Sequence, residues 1–272
     1  MCPYHAWCYD LRGNLVVTPR VADGEIDKAM LPLHQVHVDQ WQGFVFVNLD
    51  RGTPRPLRES LGSAYDDLLS FERFRLDELR IGATIEWVVE ANWKIIIENY
   101  NECLHCPTVH PELVQVIPAY KKGWVFEAGR DDGGVTLAGG RGHYGPDGGN
   151  IAPIPSMTEL EARSVYGGTA FPNAMIDTSG TSVVVTQLFP LGPTTTRQIV
   201  VYLFHAEAMA KLDFDPGPLV AFGELVGAQD NAVCERVQRG VRSRAFDHGV
   251  YPEKDTYVYE FNQRYLRERD GV

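Results

Sequence analysis

The segment ENYNECLHCPTVHPEL, residues 98–113, holds the densest set of metal-binding side chains in the sequence. Read as the end of a helix, NWKIIIENYNECLH, it puts Glu98, Glu102 and His105 on one face at i, i+4 and i+7. His110 lies five residues past His105, and on an unbroken helix that step turns it about 140° away. Pro107 changes this, because it biases Cys106 away from the helical region and ends or kinks the helix there. Both imidazoles are then expected to converge on one point. Two imidazoles leave a cation in need of negative charge. On a helix predicted from about Pro216 to Val241, Leu219, Phe222, Val226, Val233, Val237 and Val241 share an arc of about 100°, and Asp230 falls inside it. A carboxylate on an apolar stripe is costly unless it is paired or binds a metal. His105, His110 and Asp230 therefore form a candidate set of two imidazoles and one carboxylate. Such a set leaves coordination positions open and suits non-haem Fe(II) oxygen chemistry.

The same residues admit other readings. Histidines at a helix end bond backbone carbonyls, and a buried carboxylate pairs with an arginine. Cys103 and Cys106 offer a zinc site from CLHC, completed by ligands from elsewhere such as Cys2 and His5. Glu224 and Glu235 fall outside the apolar arc of the long helix and read as solvated. The opening stretch CPYHAW supplies Cys2 and His5, two residues of a site that normally takes four.

The elements that must position these groups differ between two regions. Through about Asp50 the chain reads as short strands and turns: Arg12-Gly13-Asn14 separates an aromatic run from Leu15-Val16-Val17, and Gly43 marks a bend beside Phe44-Val45-Phe46-Val47. The stretch RGTPRPLRES, residues 51–60, is a connector, and a short helix is expected from Pro56 or Leu57 to about Phe71. A strand follows over 79–89, then the helix that carries the first histidine. Gly and Asp cluster over 129–150 as a mobile loop or loose hairpin, and strands are expected over 169–176, 182–190 and 197–205 as an antiparallel meander. The sum is an α+β architecture. A formal net charge of −11 argues against a nucleic-acid partner and an anionic membrane surface. No apolar run approaches the ~20 residues of a spanning helix. Five cysteines, four of them within three residues of a histidine, favour metal chemistry over cross-linking, and the chain reads as cytoplasmic.

In CPYHAW, NWKIIIENYNECLHCPTVHPEL and QDNAVCERVQRG, in that order, the sequence resembles the large (alpha) subunit of the Rieske non-haem iron oxygenases. The resemblance covers essentially the whole chain. It implies a C-terminal part of a Rieske 2Fe–2S domain over 1–50 and a helix-grip, mononuclear-iron catalytic domain over 51–272. It further implies Fe(II) ligands at His105, His110 and Asp230, cluster ligands at Cys2 and His5, and a bridging carboxylate at Glu102, with Asn99 and Glu98 as supporting groups. Electrons would come from a reductase or ferredoxin, pass through the cluster and cross between subunits of a homotrimer, and O2 would hydroxylate a small organic substrate. Arenes and quaternary ammonium compounds are the substrate classes, and Glu102, where arene enzymes usually carry aspartate, leans toward the second. Trp87, Trp124, Tyr120 and Phe171 are candidates for a cation-binding cage. A non-catalytic helix-grip ligand-binding protein is the alternative. The departure from the pattern is the missing upstream Cys-x-His, since a Rieske cluster takes two cysteines and two histidines. The expectation is therefore a truncated chain that holds only half a cluster site. Iron and acid-labile sulfide assays on the purified 272-residue chain test this, with a full complement of sulfide as the contrary result.

Overall fold

The computed structural model describes residues 1–62, 68–127, 129–147 and 150–270. The chain divides into two units, Met1–Glu59 and Ser60–Val272. The first is two antiparallel hairpins. Strand β1 (Cys8–Tyr9) pairs with β2 (Leu15–Val17), and β3 (His37–Trp41) pairs with β4 (Phe44–Asn48). Gln42 and Gly43 both have positive φ, 49° and 85°, the left-handed pair that a two-residue hairpin turn requires.

Helix α1 (Leu57–Leu61) is all that the structure describes of the helix expected to reach Phe71. Residues 63–67 of that helix lie outside the described residues, and Leu68–Phe74 winds as a 3-10 helix. The second unit is then built on β5 (Leu79–Val89), α2 (Trp93–Tyr100), two short helices α3 (Cys106–Val109) and α4 (Leu113–Val116), and strands β6 (Val135–Thr136), β7 (Ser164–Ala170), β8 (Ala174–Thr178), β9 (Val183–Gly192) and β10 (Thr195–His205). Helices α5 (Ala206–Met209), α6 (Gly217–Val241) and α7 (Thr256–Asp270) complete it. The six strands form one antiparallel sheet in the order β5-β10-β9-β8-β7-β6. The strand expected over 169–176 is in fact two, β7 and β8. They are broken at Phe171-Pro172-Asn173, where proline has no ladder donor and Pro-Asn favours a turn. Of the Gly-rich segment 129–150, Gly148 and Gly149 lie outside the described residues, and β6 pairs with β7.

Alternation decides which face of β10 is inward: Thr196, Gln198, Val200, Tyr202 and Phe204 are buried while their neighbours are not. Helix α6 lies against this edge of the sheet. Its buried residues are Leu219, Phe222, Val226, Cys234 and Gln238, so the inward row steps by three and then four residues and passes through Asp230. The apolar arc expected to run through Val233, Val237 and Val241 is corrected at its C-terminal half, where Val237 is 44% exposed. Small apolar cores fill the unit, among them Ile96, Ile97, Leu188 and Phe261 beneath α2, and Leu113, Val116, Val165 and Phe222 beside α4. No helix among the described residues is long and apolar enough to cross a membrane.

Glycine lets α6 approach the sheet closely: a Cβ at Gly223 would stand 2.1 Å from Tyr202 Oη, and one at Gly227 would stand 3.0 Å from the Trp87 ring. In an exposed helix Gly223→Ala would stabilise by up to about 1 kcal/mol. Here the methyl meets a buried tyrosine, and the expected result is a loss of about 1–3 kcal/mol in denaturant unfolding. A gain in stability would contradict this packing.

Candidate metal centre

Helix α2 starts at Asn92, whose side chain accepts the backbone N–H of Lys94. It stops at Tyr100, five residues before the end that the sequence suggests, and the reason is Glu102. That carboxylate accepts the backbone N–H groups of Leu104 and, at 3.4 Å, His105, so these donors are satisfied without further helix. Glu102 and His105 therefore lie on the loop after α2, not on one helical face with Glu98. Glu98 accepts from Asn262 on α7. Pro107 does not end a helix either. It sits in the first turn of α3, where its missing N–H costs nothing. His105 caps that short helix at one end and His110 at the other, which brings the ring centroids within 5.1 Å.

Helix α6 runs antiparallel to α2 and is tied to it at two points. The Asn92 backbone N–H donates to Gln238 Oε1 at 2.8 Å, and Asn99 Nδ2 donates to Asp230 Oδ1 at 2.8 Å. The same Asp230 oxygen faces His110 Nε2 at 2.9 Å and His105 Nε2 at 3.3 Å. Each imidazole is held from behind: His105 Nδ1 donates to Glu102 Oε1 at 2.5 Å, and His110 Nδ1 donates to Gln229 Oε1 at 2.8 Å. Gln229 in turn donates to Glu112 Oε2 at 3.1 Å. With Nδ1 committed on both rings, both Nε2 atoms remain as ligands. One donor atom from each of His105, His110 and Asp230 lies within 4.8 Å of the others. These residues fit a divalent cation of the kind that two imidazoles and a carboxylate hold.

Electrostatics agree. Burial works against ionisation of Asp230, yet the bonds from His105 and His110 outweigh it and hold the carboxyl at about 2. Burial also works against the His105 cation, but its bonds to Asp230 and Glu102 raise it to about 9; His110 is raised too, chiefly by Asp230 against its own burial.

The centre opens on a cavity of about 200 Å3 between α2, α6 and the sheet. That is comparable with the ~150 Å3 that accepts benzene in an engineered core. Of the four aromatic residues picked from the sequence, Trp87 and Tyr120 line it. Trp124 packs on Phe126 under Lys254, and Phe171 packs on Phe261 under Arg264. Tyr100, Tyr144, Tyr202 and Asp177 line it without having been singled out, and Gln229 is the other omission. Asp177 had a legible signal, as the one charged residue of the strand AMIDT.

Cys103 and Cys106, candidates for zinc, are disulfide-bonded with Cα atoms 5.0 Å apart. This corrects the preference for metal over cross-linking at these two residues and removes the CLHC zinc reading. Cys2 and His5 sit on a separate turn closed by Cys2 N–H to Trp7 O at 2.8 Å and Ala6 N–H to Cys2 O at 3.0 Å. The Cys2 thiol is free and the His5 ring is exposed beside Tyr4. Among the described residues, His105, His110 and Asp230 are the one group of three or more such ligands.

A family model described as the ring hydroxylating alpha subunit (catalytic domain) matches residues 66–269. A glycine betaine monooxygenase oxygenase subunit from Chromohalobacter salexigens is 28% identical over 96% of this chain and 64% of its own length. A carnitine monooxygenase oxygenase subunit from Acinetobacter pittii is 27% identical over 90% of this chain and 63% of its own length. The chain thus spans a little under two thirds of these relatives. A solved quaternary ammonium Rieske monooxygenase, described with carnitine oxidation and inter-subunit electron transfer, shares the fold with a TM-score of 0.69. It is 22% identical, and the match covers 98% of this chain and 71% of that one.

A metal ion needs His105 Nε2 without its proton, and in chelator-treated protein that proton is held up to about pH 9. Metal binding at pH 7–8 is therefore expected to release protons, and apparent affinity to rise with pH until His105 has lost its proton. Calorimetric titration in buffers of different ionisation enthalpy reads this directly. An enthalpy independent of buffer would contradict it.

Proposed function

The chain belongs to the family of ring-hydroxylating alpha subunits, and on that premise we propose that it is the catalytic part of a Rieske-type terminal oxygenase that hydroxylates a small organic molecule. The observation that carries the proposal is the convergence of His105 Nε2, His110 Nε2 and the Asn99 amide on Asp230 Oδ1, beside a small cavity. Fe(II) held by His105, His110 and Asp230 would supply the O2-activating redox chemistry, with electrons from a reductase or ferredoxin.

The chain's own residues prepare that site. Glu102 and Gln229 keep the Nδ1 protons in place and so fix the tautomer and direction of both rings. Asp230 stays ionised and supplies the negative charge, while Asn99 holds its Oδ1 in register. Val165, Met175, Val184, Val200 and Val226 form an apolar wall on which the carbon skeleton of a substrate can rest. Substrate would settle between this wall and the two histidines.

Glu102 is the carboxylate we assign as the bridge by which electrons enter, because it lies directly behind His105. The path would start at a Rieske 2Fe–2S cluster, with Cys2 and His5 as ligands within the first unit, and would cross between subunits of a homotrimer. The donor types fit, since a free thiol and an exposed imidazole share one turn. The domain assignment, 1–50 to the Rieske part and 51–272 to the catalytic part, belongs to the same proposal. The relatives named for glycine betaine and carnitine support a quaternary ammonium substrate over an arene.

A non-catalytic ligand-binding protein of similar architecture would have no use for two imidazoles and a carboxylate held in this way. Anaerobic Fe(II) titration separates the two. One ion per chain is expected, lost in Asp230→Ala and in His105→Ala, with Asn99→Ala weakening binding about 10–100-fold. Stoichiometric Fe(II) binding that survives Asp230→Ala sinks the oxygenase assignment.

A further inference from the structure

The cavity has a second chemical end, away from the imidazoles. Asp177 on β8 lines it and accepts the Tyr100 hydroxyl at 2.9 Å. Room for this pair comes from the neighbouring strand. Gly167 on β7 pairs with Asp177 across the ladder, and a Cβ there would stand 2.8 Å from Tyr100 Oη and 2.9 Å from Asp177 Oδ1. Burial raises the Asp177 carboxyl to about 7, only partly offset by the Tyr100 bond. Its charge reaches the buried hydroxyls of Tyr120 and Tyr144, raising both after the larger effect of burial.

Three further facts bear on what the cavity holds. Its lining contains the carboxylates of Glu102, Asp177 and Asp230 and, among the described residues, no lysine or arginine. Trp87, Tyr120, Tyr144 and Tyr202 present aromatic surface to it, which suits an N-alkylated cation. Thr178 Oγ1 and Gln198 Oε1, both on cavity-lining residues, are buried and take no hydrogen bond among the described residues. Gln198 Oε1 is an acceptor in need of a donor. A buried acceptor left unmade is costly, so a ligand that donates a proton to it gains what the chain forgoes.

We propose that Asp177 selects the charge of the substrate, and that the cavity takes a small ammonium cation that carries a hydroxyl or N–H donor and no carboxylate. The positive nitrogen sits against Asp177 within the aromatic surface, and the donor reaches Gln198. A zwitterion of the betaine or carnitine kind would bring its carboxylate into a lining that, among the described residues, offers it no lysine or arginine to pair with. The inference rests on the oxygenase reading only in calling the occupant a substrate; charge selection by Asp177 stands or falls by itself.

The test is equilibrium binding of three probes to the anaerobic, Fe(II)-treated chain: choline, its neutral carbon isostere 3,3-dimethyl-1-butanol, and glycine betaine. Choline is expected to bind at least about tenfold more tightly than either of the others, the scale on which a buried charge is paired or left unpaired. In Asp177→Asn that preference should fall to about twofold or less while the isostere's affinity is unchanged. Equal or tighter binding of the isostere or of betaine, no binding of choline, or a cation preference that survives Asp177→Asn overturns the proposal. Should the variant fail to fold, the wild-type ranking decides. Iron content measured on the same samples keeps the two questions apart, since loss of iron with the ranking intact removes the oxygenase reading and leaves Asp177 in its role.

Discussion

One carboxylate oxygen organises this molecule. Asp230 Oδ1 receives Asn99 from α2, His105 from the loop after α2, and His110 from the end of α3. Taking an ionised carboxylate out of water costs several kcal/mol, so a helix with such a group on its inward row is stable only if those partners are present. The demand propagates outward. Helix α2 must lie antiparallel to α6 within side-chain reach, which the Asn92–Gln238 bond secures at the far end. The chain must then reverse so that two histidines return to the same oxygen. Glu102 makes that reversal possible by satisfying backbone donors that helix would otherwise occupy.

How much of this was legible in the sequence depended on range. Asp230 could be placed because α6 is long and regular, so its row of Leu219, Phe222 and Val226 points unambiguously. The inward row departs from the arc through Val233 and Val237 because a polar Gln238 is drawn inward by the Asn92 backbone, and periodicity does not register such a partner. The pairing of His105 with His110 was expected for a reason that the structure replaces: a loop held by Glu102, with proline opening a helix rather than closing one. Local propensity does not reveal that a glutamate side chain will compete with the helix for its own neighbours' N–H groups. Asp177 and Gly167 are ten residues apart in sequence and become partners only through strand register, which a single sequence leaves open.

The sheet and the helices make different contributions. The helices and their loops supply the ligand donors, rigidly, through side chains bonded to one another. The sheet supplies shape: alternating residues of β8, β9 and β10 form the apolar wall, and glycines at 167, 223 and 227 decide where bulky rings fit. Chemistry and selectivity are thereby carried on separate layers. A change on a strand can reshape the cavity without moving His105, His110 or Asp230.

The disulfide between Cys103 and Cys106 closes a small covalent ring with His105 inside it. A ligand carried on an open loop surrenders its freedom each time an ion arrives, and that loss is subtracted from affinity. Here the freedom is surrendered once, when the sulfurs join.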